Sequence, residues 1–381
     1  MRDKTVRIRI TVVAILVSIV PFIAISCKKK ESNARKEAPE PTRTRYSDDS
    51  EEKRPDATML AMQGRKLSSE EVKKLEERLI ANPDDLILRT KLLGWYSDKR
   101  FFSEPARKAR QKHILWLIQN HADAQITGTH EADLDPILDK EVYYEAKKLW
   151  LKQVEAHKKS TTVLGNAANF FLIHDRDIAE ELLKKAQALE PENPEWSQRL
   201  GHLYSLDAPY LPAESKPGSA AKSLKQFEKS LSLTTSEREK FYKLADLAKM
   251  AFEAGEMEKA ETYANRLLAQ AAQYKNDWNY GNAIHHGNLV LGRIVLKSSN
   301  VEKAKEYLIK AGKAPGSPQL NSFGPNMALA KELLEKNERE VVIQYFELCG
   351  NFWKMGQDRL KNWTAVVKEG RIPDFRGNLQ Y

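Results

Sequence analysis

Eight histidines and two cysteines are the side chains best suited to chemistry in this chain, and their spacing argues against most of it. His285 and His286 are adjacent. Neighbours on a helix diverge by about 100°, so the two do not converge on one metal ion. A zinc site of the HExxH kind needs two histidines four apart with a carboxylate between them, and no such stretch is present. His174-Asp175-Arg176-Asp177 has the composition of a turn between helices. There is no GxSxG, no P-loop and no GxGxxG. Cys27 and Cys349 stand far apart without a CxxC, which argues against a disulfide framework. Cys349 lies in the apolar run that begins at Val341 and reads as a small core residue. With 53 acidic residues in the chain, carboxylate pairs arise by chance and mark no acid–base site. The expectation is a protein that is not an enzyme and has no cofactor and no resident metal.

Positioning elements come next. The chain is rich in Lys, Glu, Leu and Ala, a composition that with helix-period apolar spacing favours an all-α fold. The formal charge is +9. Basic and acidic residues alternate along the helical stretches, so the excess reads as a solvated face. Nucleic-acid binding is not expected.

Residues 1–9 are short and basic, Ile10 to Ile25 are nearly all apolar, and Cys27 follows. This is the layout of a secretory signal. The apolar run is about 16 residues and contains Pro21, short of the roughly 20 a spanning helix wants. Ala24-Ile25-Ser26-Cys27 resembles the lipobox of bacterial lipoproteins, with Ala24 where Leu is usual. The resemblance implies a signal peptide over 1–26 and acylation of Cys27, with palmitate among the chains. It places the body in the cell envelope, lipid-anchored and extracytoplasmic (periplasmic in a Gram-negative cell). An uncleaved anchor is the alternative. Residues 27–57 then read as a charged, disordered linker that is basic near the lipid and acidic beyond it.

The body repeats with a period near 34. Asn166-Ala167 and Phe170 recur as Leu200-Gly201 and Tyr204, with Ala179, Leu183, Ala186 and Pro191 between them. This pattern resembles the tetratricopeptide repeat, in which small residues let two helices approach and an aromatic fills the gap. Leu92-Leu93 with Tyr96, Leu247-Ala248 with Ala260 and Ala264, and Leu291-Gly292 with Ala304, Leu308 and Ala311 follow the same logic. Ala328-Leu329 with Tyr345 and Leu348 make a last, degenerate unit, and Trp353 to Lys368 supply a capping helix. The resemblance implies a right-handed superhelix, an α-solenoid of antiparallel hairpins over 58–369, with a tail at 370–381. Residues 122–138 and 205–219 interrupt the register. Trp95, Trp150, Trp196, Phe227 and Trp353 read as packing residues.

In tetratricopeptide proteins the first helix of each hairpin lines the concave face. Carried over by phase, this puts Gln198, His202, Tyr242, Lys249, His286, Arg293 and Asn326 there. Lys249 and Arg293 occupy equivalent places in successive units, which predicts a mildly basic, exposed groove suited to an acidic peptide or protein. Trp278 and Tyr280 stand in a polar stretch with two aromatics, a composition useful for partner recognition. The segment Pro315 to Asn326 is dense in Pro, Gly and Asn, unusual within helical repeats. The leading expectation is a membrane-tethered scaffold for protein–protein interaction. The alternative is a ligand-binding or catalytic pocket built from the 278–290 and 315–326 segments, with His285, His286 and Asn326 as its polar groups.

Overall fold

The computed structural model describes residues 56–207 and 213–379, without the side chains of 207–213. Residues 1–55, on which the expected signal peptide, Cys27 and most of the expected linker fall, therefore lie outside the described residues. Among those described, the chain is all-helical, with 76% helix and no strand. It divides into two compact units.

Helices α1 (Ala57–Arg65), α2 (Ser69–Ala81), α3 (Leu86–Lys99), α4 (Glu104–Asn120), α5 (Lys140–Ala156), α6 (Thr161–Phe171), α7 (Arg176–Leu189) and α8 (Pro194–Asp207) form the first unit, with residues 225–234. Those residues include the second half of α9 (Lys216–Leu233). Starts are local in origin. Ser68 and Glu71 make a reciprocal capping box at α2, and Asp85, Ser103 and Ser160 accept N–H bonds from the first turns of α3, α4 and α6. Each helix then buries one stripe, as α7 does with Ala179, Leu182, Leu183 and Ala186. These side chains share a core with Ile114, Leu117, Trp150, Phe171, Trp196 and Leu200.

The interruption at 122–138 is a crossover containing two 3-10 turns, Gln125–Gly128 and His130–Ala132. It carries the chain back along the unit, so α4 and α5 run parallel. Gln111, midway along α4, donates to Asp139 at the start of α5 (2.5 Å), and Gln153, near the end of α5, donates to the Gln119 carbonyl near the end of α4 (2.7 Å), so both helices advance in the same direction. Pro217 and Gly218, read from sequence as part of a break, belong to the first turn of α9.

The second unit holds residues 216–224 of α9 together with α10 (Glu237–Glu253), α11 (Met257–Ala271), α12 (Tyr280–Lys297), α13 (Val301–Gly312), α14 (Pro318–Phe323), α15 (Ala328–Glu335), α16 (Arg339–Cys349) and α17 (Gln357–Lys368). Each helix packs on its neighbour in sequence in the series α10 to α13, while α12 also leans on α10 and α15, and α13 on α16. Three hairpins close with the same turn. Gly255, Ser299 and Asn337 adopt positive φ just past α10, α12 and α15. The N–H of the following residue then reaches a carbonyl five residues back: Glu256 to Ala251 at 2.8 Å, Asn300 to Val295 at 2.9 Å and Glu338 to Leu333 at 3.0 Å. Residues 371–379, read from sequence as a tail, pack into this unit through buried Phe375 and Asn378.

Trp150, Trp196, Phe227 and Trp353 are buried as expected, and Cys349 is a fully buried free thiol whose ionisation burial strongly opposes. Trp95 is half-buried. Its indole N–H donates to the Leu67 carbonyl at 3.0 Å, and the Lys99 ammonium lies over its ring.

Candidate binding site at the start of helix 12

Asp277 organises the entry into α12. Its Oδ2 accepts from the Arg238 guanidinium (2.6 and 2.8 Å) and from the Tyr242 hydroxyl (2.8 Å), and its Oδ1 accepts from the Asn279 N–H (2.9 Å). Burial opposes charge on Asp277, but these donors outweigh it and hold the carboxyl below its usual range. Trp278 leans on Tyr242 with ring centroids 5.1 Å apart.

Gly281, in the first turn of α12, meets the 315–318 loop backbone to backbone. A Cβ there would stand 1.7 Å from the Gly316 carbonyl oxygen, and Gly316 itself has φ +87°. Asn282 completes the joint. Its Oδ1 accepts from the Ser317 hydroxyl (2.6 Å), and its Nδ2 donates to Gln319 Oε1 and Asn279 Oδ1 (3.0 Å each). Ser317 in turn caps α14 by accepting from the Leu320 N–H. Loop and helix are thus held by side chains whose polar atoms are already used.

Between them lies an open depression of about 400 Å³. Its walls are Lys275, Asp277, Trp278, Tyr280 and Gly281 on one side, and Pro315, Gly316, Ser317, Pro318 and Asn321 on the other. Two aromatic rings and two proline rings give it apolar faces. The two segments that the sequence singles out as unusual therefore meet at one place.

Asn326 and His285 do not line it. His285 is fully buried and its ring is committed to main chain: Nδ1 donates to the Ala311 carbonyl (3.1 Å), and Nε2 accepts from the Asn326 N–H (3.1 Å). Burial pushes its pKa down to about 4, with the bond to Ala311 opposing and Lys249 adding to the shift. The Tyr345 hydroxyl donates to the Asn326 carbonyl (2.8 Å), and Asn378 donates to the carbonyls of Phe323 and Pro325 (3.2 and 2.9 Å). These bonds fix the 323–327 segment as structure. His286 is half-buried with its ring edge-on to His285.

The basic stripe expected at Lys249 and Arg293 is not a row of free cations. Lys249 pairs with Asp246 at 3.2 Å. Arg293 is half-buried between Glu253 of α10 (2.6 Å) and Glu332 of α15 (2.7 Å), with its guanidinium 4.1 Å from the Phe252 ring centroid. Burial opposes its charge, but the two carboxylates prevail and raise its pKa. In the first unit, Gln198 bonds His202 at 3.0 Å along one face of α8, and the His202 ring lies edge-on to Phe227.

Lys275 lies outside the segments singled out from sequence, while Asn282 and Gln319 lie within them without having been named as participants. Asn282 offered one signal: an amide inside a helix is a poor helix former and asks for a partner. Among the described residues no group of three or more His, Cys, Asp and Glu could hold a metal ion. No known protein family matches this chain, and no curated protein matches it.

Proposed function

We propose that the chain is a membrane-tethered extracytoplasmic scaffold, built as a tetratricopeptide-like solenoid, that holds a segment of a partner protein. Support for the repeat reading comes from the hairpins of the second unit, which share one closing turn at Gly255, Ser299 and Asn337. The observation that carries the binding reading is the depression between Trp278, Tyr280, Pro315 and Pro318. It is open and apolar on its ring faces, and the Asn282–Ser317 and Asp277–Arg238 bonds hold its walls in place. Preorganised aromatic walls lower the ordering cost of binding and make such a place an energetic centre of an interface. Its openness suits side chains of an extended peptide better than an enclosed small ligand. The tether is read from the Cys27 lipobox and the linker after it.

The test is photo-crosslinking from Asn321, an exposed rim residue, in cells that make the chain. A discrete partner band is expected, and Trp278→Ala should weaken that partner's affinity by about tenfold or more. A partner captured from this position with unchanged affinity for the Trp278→Ala chain would sink the reading.

A further inference from the structure

The first unit carries a second feature unrelated to the depression. Phe101 and Phe102 are 59% and 91% exposed, and Ile137 and Leu138 are 75% and 51% exposed. The two pairs are far apart in sequence but stand at the same end of the unit, because α4 and α5 run parallel. Phe101 and Phe102 immediately precede the Ser103 cap of α4, and Ile137 and Leu138 immediately precede Asp139 at the start of α5. Tyr144, 51% exposed, follows one turn into α5.

The tip is built, not frayed. Buried Arg110 donates to Ser97 Oγ (3.2 Å) and to the carbonyls of Glu131 (2.8 Å) and Asp133, tying the end of α3 to the crossover. Asp135 Oδ1 accepts from the N–H groups of Ile137 (2.7 Å) and Leu138 (3.0 Å), which fixes the turn that presents them. Exposed apolar side chains on two turns at one end of the unit mark an interaction surface.

We infer that this tip inserts into the interfacial region of a lipid bilayer. A ring that is 91% exposed has no walls around it, so the tip projects. A projecting cluster of aromatic and aliphatic side chains is accommodated by the yielding boundary between headgroups and acyl chains, where such residues concentrate. Charged side chains border it: the Arg100 guanidinium lies 4.3 Å from the Phe101 ring centroid, and exposed Glu104, Lys140 and Glu141 follow within two or three residues of Phe102 and Leu138. Proximity comes from the proposed tether. Asp56, where the described chain begins, is held by Gln125 at the far end of α4 from the tip. The length of α4 is about 25 Å, and the stretch from Cys27 to Asp56 is long enough to cover that distance at a maximum of roughly 3.3 Å per residue. Anchor and tip can therefore engage one surface.

The experiment uses the full chain purified from membranes, in which the proposed acylation blocks the Cys27 thiol and Cys349 is too buried to label. Single cysteines replace Phe102, Leu138 or, as a control at the opposite end of α5, exposed Lys159, and each carries a nitroxide. Collision with oxygen and with a nickel chelate is measured before and after adding phosphatidylethanolamine–phosphatidylglycerol vesicles. The labels at 102 and 138 are expected to lose nickel accessibility and gain oxygen accessibility on vesicles, while the label at 159 does not change. Labels at 102 and 138 that stay as water-accessible as 159 while the chain floats with the vesicles overturn the inference and leave membrane contact to the N-terminus. Labels shielded before vesicles are added, or broadened by spin–spin contact between copies, also overturn it and assign the tip to a protein contact.

Discussion

His285 accepts the Asn326 N–H on its Nε2 at 3.1 Å, across 41 residues of sequence, while its Nδ1 serves the Ala311 carbonyl. One imidazole thereby satisfies a buried donor and a buried acceptor, and this requires the neutral Nδ1–H tautomer. The floor under the 315–326 segment depends on it.

This arrangement makes stability pH-dependent. The pKa of His285 is about 4 in the folded chain, against about 6.5 when unfolded. The unfolded chain therefore binds more protons between these values. Stability present above pH ~6.5 is lost as pH falls toward 4, by on the order of 3 kcal/mol from this group. In His285→Gln the amide can accept from Asn326 and donate to Ala311. Urea unfolding at about pH 7 and pH 5 should show a smaller acid loss for the variant than for wild type. Equal losses would mean that His285 does not titrate as its burial demands.

Gly281→Ala should cost about 1–3 kcal/mol, since its methyl must displace the Gly316 carbonyl or bend α12. The same variant should loosen the Trp278–Pro315 walls, read as a change in near-ultraviolet circular dichroism. A wild-type melting curve would mean that the two backbones are not in contact.

Charge reversal separates two cations that look equivalent in sequence. Arg293→Glu places a third carboxylate between Glu253 and Glu332 and should destabilise by about 2 kcal/mol or more. Lys249→Glu breaks one pair within α10 and removes a charge that opposes protonation of His285, which is neutral at about pH 7, and should cost about 0.5 kcal/mol there. Adding Glu253→Lys to the Arg293→Glu chain should recover part of the loss. Equal costs for the two single variants would refute the bridge.

Ser299→Gly should stabilise by up to about 1 kcal/mol, because Ser299 holds φ +63° at a turn where its counterpart is Gly255 with φ +84°. The midpoint of chemical denaturation reads this directly. A lower midpoint would show that the Ser299 side chain contributes more than its backbone costs.

Cys27→Ser should abolish incorporation of a fatty-acid probe and release the chain from the membrane fraction. Unchanged labelling and fractionation would remove the lipoprotein reading and the tether with it.

What was legible in the sequence is what helices write locally. The small-residue stripe of α7 and the burial of Trp150 and Cys349 follow from spacings of three or four residues and from apolarity. The meaning of the charged and polar residues followed from other contacts. Arg293 looked like a free groove cation because its partners lie 40 and 39 residues away, and whether they meet depends on how far each helix slides along the next. His285 looked like half of a polar pair until packing closed the 323–327 segment over it. The 275–281 and 315–321 walls, and the two halves of the exposed tip, are joined by the crossing of helices and by one chain reversal at 121–139. Helix-period patterning specifies which face of a helix turns inward, but side-chain volumes at the crossing set the register between faces, and no short-range spacing encodes it.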